Sequence, residues 1–180
     1  MDEEVLKEAL EYARDLLETG EQRVWSSKAI RYQKPHVNRI FVPWKESRIS
    51  LHEILPCMRG ESFVHPHPWE SVVLLLEGTY ETGFFAAGRH GTYKDLSTFG
   101  IRSLATVRCV PGSIYTMGSK DVAHYVAPFD GPTYSFMVTG PADPHRALNP
   151  FQIPESGMEG AEVGRLVEKF RGLLDAYGGI

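Results

Sequence analysis

The chain has 180 residues with 42% hydrophobic and 23% charged residues, which is ordinary for one soluble globular domain and argues against disorder. The formal net charge is −4 and no Lys/Arg block occurs, so binding to nucleic acid through phosphate neutralisation is not expected. The longest apolar run, Val72 to Leu76, is too short to cross a bilayer, and the acidic start lacks the apolar core of a signal peptide. We therefore expect a single cytoplasmic domain over residues 1–180, with no nucleic-acid or membrane partner.

Both ends of the chain carry helical patterns. An apolar stripe over residues 2–18 starts with acidic residues in the first turn, where the helix dipole favours negative charge. A second stripe over roughly 160–177 is followed by Gly178 and Gly179. Because the two apolar faces need more cover than one small β domain supplies, we expect a homodimer.

The middle of the chain changes to short runs rich in Val, Ile, Phe, Tyr and Thr, separated by Gly, Pro, Asn and Asp. This pattern is typical of an all-β domain. The polar stretch 88–100 is predicted to be a loop, and the proline-rich stretch 141–160 an extended strap. The predicted strands are 38–43, 47–55, 62–67, 71–77, 79–87, 104–110, 112–117, 122–128 and 133–139.

The segment from Gly60 to Gly78, GESFVHPHPWESVVLLLEG, carries the strongest chemical signal. His65 and His67 are two residues apart, so both imidazoles project from one face of a strand. If that face lines a barrel, two nitrogen ligands converge on one point. A Pro-Gly turn and a further histidine, His124, follow later in the chain.

These features resemble the two motifs of the cupin superfamily: a glycine, His-x-His and a closing glycine, then a Pro-Gly turn and a late histidine. The resemblance spans roughly residues 38–140. It implies an all-β double-stranded β-helix, the cupin or jelly-roll barrel, with short N- and C-terminal α-helices. It also implies that His65, His67 and His124 hold one divalent metal ion.

One position departs from the cupin pattern. Aligned on Gly78, the usual glutamate ligand position holds Ser71, and Glu70 lies one residue earlier. Because neighbours on a strand face opposite sides, two arrangements are open. Either the chain bends at Pro68 and brings Glu70 inward as a fourth ligand or outer-sphere partner, or the site has three histidines, similar to the thiol dioxygenases among the cupins. Glu81 is a weaker candidate.

Other residues of the predicted strands are candidates for the pocket. Tyr115 and Tyr125 are candidate catalytic residues, since a hydroxyl near the metal moves protons or orients substrate. For His52 a structural role is favoured over a place in the pocket. Arg59, Arg102 and Arg108 are expected on the solvated exterior. The apolar walls are expected from Val73, Leu75, Phe136 and Val138.

Three functions remain open for a small-molecule partner. The first is a non-haem Fe(II) dioxygenase, in which the three histidines hold iron and Glu70 or a tyrosine moves protons. The second is a non-redox isomerase, decarboxylase or lyase, with Zn, Ni or Mn as a Lewis acid. The third is a binding or sensing cupin without turnover.

Overall fold

A computed structural model describes residues 3–67, 69–86, 91–98, 100–118, 122–141 and 156–178. The helices are α1 (Glu3–Glu18), α2 (Tyr93–Thr98) and α3 (Gly160–Tyr177), with short 3-10 helices at Gln22–Val24 and Arg59–Glu61. No helix in these ranges is long and apolar enough to cross a membrane. The strands are β1 (Ser26–Ile30), β2 (Val37–Trp44), β3 (Ser47–Ile54), β4 (Phe63–Pro66), β5 (Ser71–Glu77), β6 (Tyr80–Ala86), β7 (Gly91–Thr92), β8 (Ala105–Cys109), β9 (Ile114–Met117), β10 (Val122–Pro128) and β11 (Thr133–Thr139).

The strands form two antiparallel sheets. A six-stranded sheet has the order β1-β2-β3-β11-β5-β9, and a five-stranded sheet has the order β7-β4-β10-β6-β8. The chain passes repeatedly from one sheet to the other, as in a jelly roll. Buried residues of both sheets meet between them, among them Ile54 and Leu75 from one sheet and Tyr80 and Val126 from the other. The fold is therefore all-β and jelly-roll-like, as the sequence predicts.

The terminal helices cover the outer face of the six-stranded sheet. Their apolar stripes join one buried cluster with residues of β2, β3, β5 and β11. In this cluster the ring of Phe170 lies 5.8 Å from that of Tyr134. The chain itself therefore covers the apolar stripes from which a homodimer was predicted. The homodimer stays a prediction without this support.

The observed strand bounds agree with the nine predicted strands to within two residues. Two strands were not predicted. β1 is a half-buried edge strand with few β-forming residues, and β7 has only two residues.

The predicted loop 88–100 contains helix α2 instead, in the part of it that is described. The hydroxyl of Thr92 accepts from the Asp95 backbone N–H at 3.1 Å and caps the helix, while buried Leu96 anchors it to the five-stranded sheet. Most of the predicted strap, residues 142–155, lies outside the described residues.

Candidate metal centre

Strand pairing in the five-stranded sheet brings three histidines together. His65 lies on β4, and His67 follows the end of that strand. His124 lies on β10 directly opposite His65 in the antiparallel register. The side chain of Pro66, between His65 and His67, is exposed, as alternation requires. We call His65, His67 and His124 the histidine triad.

The triad has the dimensions of a metal site. One ligand atom from each histidine lies within 4.8 Å of the others. Nε2 of His67 and Nε2 of His124 are 2.8 Å apart. Two nitrogens bound to one ion at the usual bond length of about 2.1 Å would lie about 3.0–3.4 Å apart, so a small adjustment accommodates an ion. The residues therefore fit a divalent metal.

The protein orients the outer nitrogens of His65 and His124. Nδ1 of His65 lies 3.0 Å from the carbonyl oxygen of Phe63, to which it donates. The Thr82 hydroxyl donates to the carbonyl of Tyr125 at 2.8 Å, which leaves its oxygen to accept from Nδ1 of His124 at 3.4 Å. With their protons on Nδ1, both histidines direct an unprotonated Nε2 inward, as metal ligation requires.

Burial also keeps the triad neutral. Removal from water lowers the pKa of His65 and lowers the pKa of His67 and His124 well below the ordinary value. The positive charge of Arg39 lowers the pKa of His65 and His67 further. Neutral imidazole is the form that binds metals.

A cavity of about 100 Å³ between the two sheets adjoins the triad. Tyr80 and Tyr115 line it, as do four further polar residues, Gln33, Arg39, His52 and Ser135. Among the described residues that line it, none is Asp or Glu. The apolar part of the wall consists mainly of Val37, Ile54, Val73, Met117, Val126 and Met137.

The two candidate carboxylates lie away from the triad. Glu70 is exposed just before β5, and its backbone carbonyl accepts from the Gly140 N–H at 2.9 Å. Glu81 faces the other side of the five-stranded sheet, where it contacts Arg59 and the Tyr125 hydroxyl. Of the two arrangements left open by the sequence, the described cluster corresponds to three histidines.

The two candidate tyrosines lie on opposite sides of the five-stranded sheet. Tyr115 lines the cavity, where its oxygen accepts from the Tyr80 hydroxyl at 2.9 Å. Tyr125 is fully buried in a separate cluster under α2, outside the cavity. The expectation that Tyr125 lies near the metal is therefore corrected. Strand alternation explains why: Tyr125 follows His124 on β10, so its side chain faces the other way.

Of the four residues expected in the apolar wall, one lines the cavity. Val73 lines the cavity, whereas Phe136 and Val138 face the terminal helices and Leu75 packs in the apolar cluster between the sheets. The neighbours of Phe136 on β11, Ser135 and Met137, line the cavity instead. Alternation again explains the difference, because the inner face of β11 carries the residues next to those that were expected there.

Two residues of the cavity wall were not assigned to it from the sequence. His52, for which a structural role was favoured, is buried and lines the cavity. Arg39 lines it as well, whereas Arg59, Arg102 and Arg108 are exposed, as expected. The sequence signal for Arg39 was alternation on β2, since Ile40 faces the helices and Arg39 must face the opposite side.

A larger cleft of about 410 Å³ lies nearby but holds none of the triad. Its described carboxylate, Glu61, is ion-paired with Lys34 at 2.6 Å. Gln33 lines both spaces. The candidate metal centre therefore belongs to the smaller cavity.

The fold and the site define an all-β, jelly-roll-like protein with a three-histidine candidate metal centre, which fits a cupin-like metal-binding fold. No known protein family and no curated protein sequence matches the chain.

Solved structures do match the chain. Hydroxypropylphosphonic acid epoxidase from S. wedmorenis is 9% identical with a TM-score of 0.46, over 63% of this chain and 55% of the epoxidase. Streptomyces albus HEPD, solved with 2-hydroxyethylphosphonate and Fe(II), is 11% identical with a TM-score of 0.43, over 68% of this chain and 25% of that one. A Rhizobium leguminosarum protein of unknown function is 19% identical with a TM-score of 0.40, over 57% of this chain and 79% of that one. The match therefore spans about half the length of the epoxidase.

Proposed function

We propose that this chain is a metal-dependent enzyme acting on a small molecule, and that its metal is Fe(II) used in dioxygen chemistry. The observation that carries the proposal is the convergence of three neutral imidazoles, two of them with oriented outer nitrogens, on one side of a small and largely apolar cavity. Three protein ligands leave coordination positions open, which a purely structural metal site does not.

When bound, a ferrous ion supplies one-electron redox chemistry and open coordination positions. The protein's own residues do the rest. The Phe63 carbonyl holds His65, and the Thr82 hydroxyl holds His124, in the ligating tautomer. The apolar wall excludes water from the reacting groups.

Tyr115 is the residue best placed to orient a substrate. Its oxygen accepts a hydrogen bond from the Tyr80 hydroxyl, so its own O–H remains available to donate into the cavity. Burial raises the pKa of Tyr115, which keeps this hydroxyl protonated. We expect it to donate a hydrogen bond to the substrate or to a group that gains negative charge.

Two other functions use the same residues. A non-redox isomerase, decarboxylase or lyase would use Zn, Ni or Mn as a Lewis acid and need no oxygen. A sensing protein would bind metal and ligand without turnover.

Metal analysis and oxygen uptake test the proposal. Protein purified without added metal should contain about one equivalent of iron, lost in His65→Ala and His124→Ala. His36→Ala is the matched control, because His36 lies outside the cavity. Oxygen uptake on a panel of small thiols and acids should depend on iron. One equivalent of zinc, nickel or manganese without oxygen uptake would favour the non-redox enzyme, and a parent that binds no metal after reconstitution would refute the proposal.

A further inference from the structure

Strand β8, at one edge of the five-stranded sheet, turns apolar side chains toward the other sheet. Val107 is the register partner of Thr82 on β6, and Thr82 is the register partner of Val126 on β10. Register partners point to the same side of a sheet, and Val126 lines the cavity. Val107 therefore faces the space between the two sheets. Ala105 and Cys109, two residues away on either side, face it as well.

The exposure of these three side chains changes along the strand. Cys109 is 2% exposed and belongs to the apolar cluster between the sheets, whereas Val107 is 47% exposed and Ala105 is exposed too. A valine on the inner face of a closed barrel would be buried. The space between the sheets is therefore closed at Cys109 and opens toward Ala105.

The open end lies beside the candidate metal centre. Ala105 is the register partner of half-buried Phe84, which is in turn the register partner of His124. The ring of Phe84 lies 6.4 Å from that of His124 and 6.3 Å from that of Tyr115. Because Tyr115 lies on β9, the edge strand of the six-stranded sheet, the opening runs between β8 and β9.

The side chains at this opening are apolar. Met117 follows Tyr115 by two residues on β9, shares its face of the strand and lines the cavity. We call Phe84, Ala105, Val107 and Met117 the apolar seam. Exposed apolar side chains that continue into a cavity indicate a binding surface, unlike apolar residues scattered singly over a protein.

The size of the cavity requires a larger substrate to extend beyond it. Its volume of about 100 Å³ is smaller than the ~150 Å³ cavity that accommodates benzene. Only a few non-hydrogen atoms of a substrate therefore fit inside, beside the triad. The remainder of a longer molecule would lie in the apolar seam, where water is displaced from hydrocarbon surface.

We propose that the apolar seam is the entrance of the cavity and binds an alkyl or aryl part of the substrate. The inference deepens the proposed function, on which it rests for the binding of the other end of the substrate at the metal. The substrate is then a small molecule with a reacting end of a few atoms and a hydrocarbon tail.

Paired ligands of the Co(II)-loaded protein test the entrance. 1-Methylimidazole and 1-butylimidazole present the same metal-binding nitrogen and differ only in the length of the alkyl chain. Each buried CH₂ group strengthens binding about fourfold, so we expect 1-butylimidazole to bind about tenfold more tightly or better. The visible absorption of Co(II) gives both affinities. Their ratio reports the alkyl tail alone, because any change at the metal affects both ligands equally.

Two valine variants locate the tail. Val107→Ser should lower the affinity ratio by about threefold or more, because it removes apolar surface from the seam. Val110→Ser is the matched control, since Val110 is also 47% exposed but lies past the end of β8, and its ratio should equal that of the parent. In metal-free protein, saturation-transfer NMR with 1-hexanol should show a weaker signal in Val107→Ser than in Val110→Ser.

Equal affinity of the parent for the two imidazoles would overturn the entrance, as would an equal loss in the two valine variants. A parent that sediments as a dimer, and as a monomer in Val107→Ser, would assign the seam to a second copy of the chain and overturn it as well. If no Co(II) binds but 1-hexanol distinguishes the variants, the entrance stands and the proposed function fails. If Co(II) binds and neither probe distinguishes them, the entrance fails and the proposed function stands.

Discussion

The oxygen of the Thr82 hydroxyl lies 3.4 Å from Nδ1 of His124, and the same hydroxyl donates to the Tyr125 carbonyl at 2.8 Å. Since the hydroxyl proton is used by the carbonyl, the oxygen faces His124 as an acceptor. A residue that touches no metal thus sets which nitrogen of His124 can bind one.

Thr82→Val should therefore weaken metal binding about tenfold, because it removes this acceptor while keeping the size of the side chain. Thr82→Ser retains a hydroxyl and should bind metal nearly as the parent does. Competition against a chelator gives both affinities. Equal affinity in Thr82→Val and the parent would show that the contact does not orient His124.

The two tyrosines should respond differently to loss of their hydroxyls. Tyr125→Phe removes a buried hydrogen bond to Glu81 and should lower the free energy of unfolding by about 1–2 kcal/mol, with metal content unchanged. Tyr115→Phe should retain its metal and lower turnover at least tenfold, because its hydroxyl faces the cavity. Denaturant unfolding, metal analysis and oxygen uptake give these quantities. Loss of metal in Tyr125→Phe would contradict the assignment of that residue to the outer face.

Gly83 should not tolerate a side chain. It is the register partner of Tyr125, and a Cβ on Gly83 would lie 2.8 Å from Cζ of the Tyr125 ring and closer still to Cε1. Gly83→Ala should therefore lower the free energy of unfolding by about 1–3 kcal/mol. The control is Gly60→Ala, where the nearest atom lies at an ordinary 3.7 Å and little change is expected. Denaturant unfolding of both variants measures the difference, and equal stability would mean that the Tyr125 ring can move aside.

Glu53 connects α3 to the six-stranded sheet. Arg165 donates to its two oxygens at 2.8 and 2.7 Å, and Asn38 and Tyr134 donate at 2.7 and 2.8 Å. Glu53→Gln should lower the free energy of unfolding by about 2–3 kcal/mol at pH 7. The loss should be smaller than for a fully buried ion pair, because Arg165 is half exposed. Glu77→Gln is the control, since its bond to Lys169 is more exposed and should contribute less than about 1 kcal/mol.

The Glu53 contribution should depend on pH. Burial alone would raise the pKa of Glu53, but the hydrogen bonds from Arg165, Asn38 and Tyr134 outweigh it and lower the pKa overall. A carboxyl whose pKa is depressed on folding stabilises the fold above its unfolded pKa, about 4.3, and loses that contribution as the pH falls through the folded pKa. The difference between parent and Glu53→Gln should therefore be constant near neutrality and shrink below about pH 4. Urea unfolding across this range tests it, and a difference that grows on acidification would contradict it.

Periodicity of side chains along the chain determined much of this protein. Alternation placed His65 and His67 on one face, and the runs of β-forming residues predicted nine of the strands, because both depend on local backbone geometry. The same local rule could have separated Tyr125 from His124 and assigned Arg39 to the inner face.

The tertiary structure decided which inner faces meet. His124 stands opposite His65, and Arg39, His52 and Ser135 form one row, only because strands far apart in sequence pair in a particular register. The exposed position of Glu70 and the single-residue shift that put Ser135 rather than Phe136 in the cavity wall have the same origin. Register depends on long-range pairing and on how each face is buried. The local sequence pattern could therefore identify candidate residues for this site, but it could not predict which of them lie together.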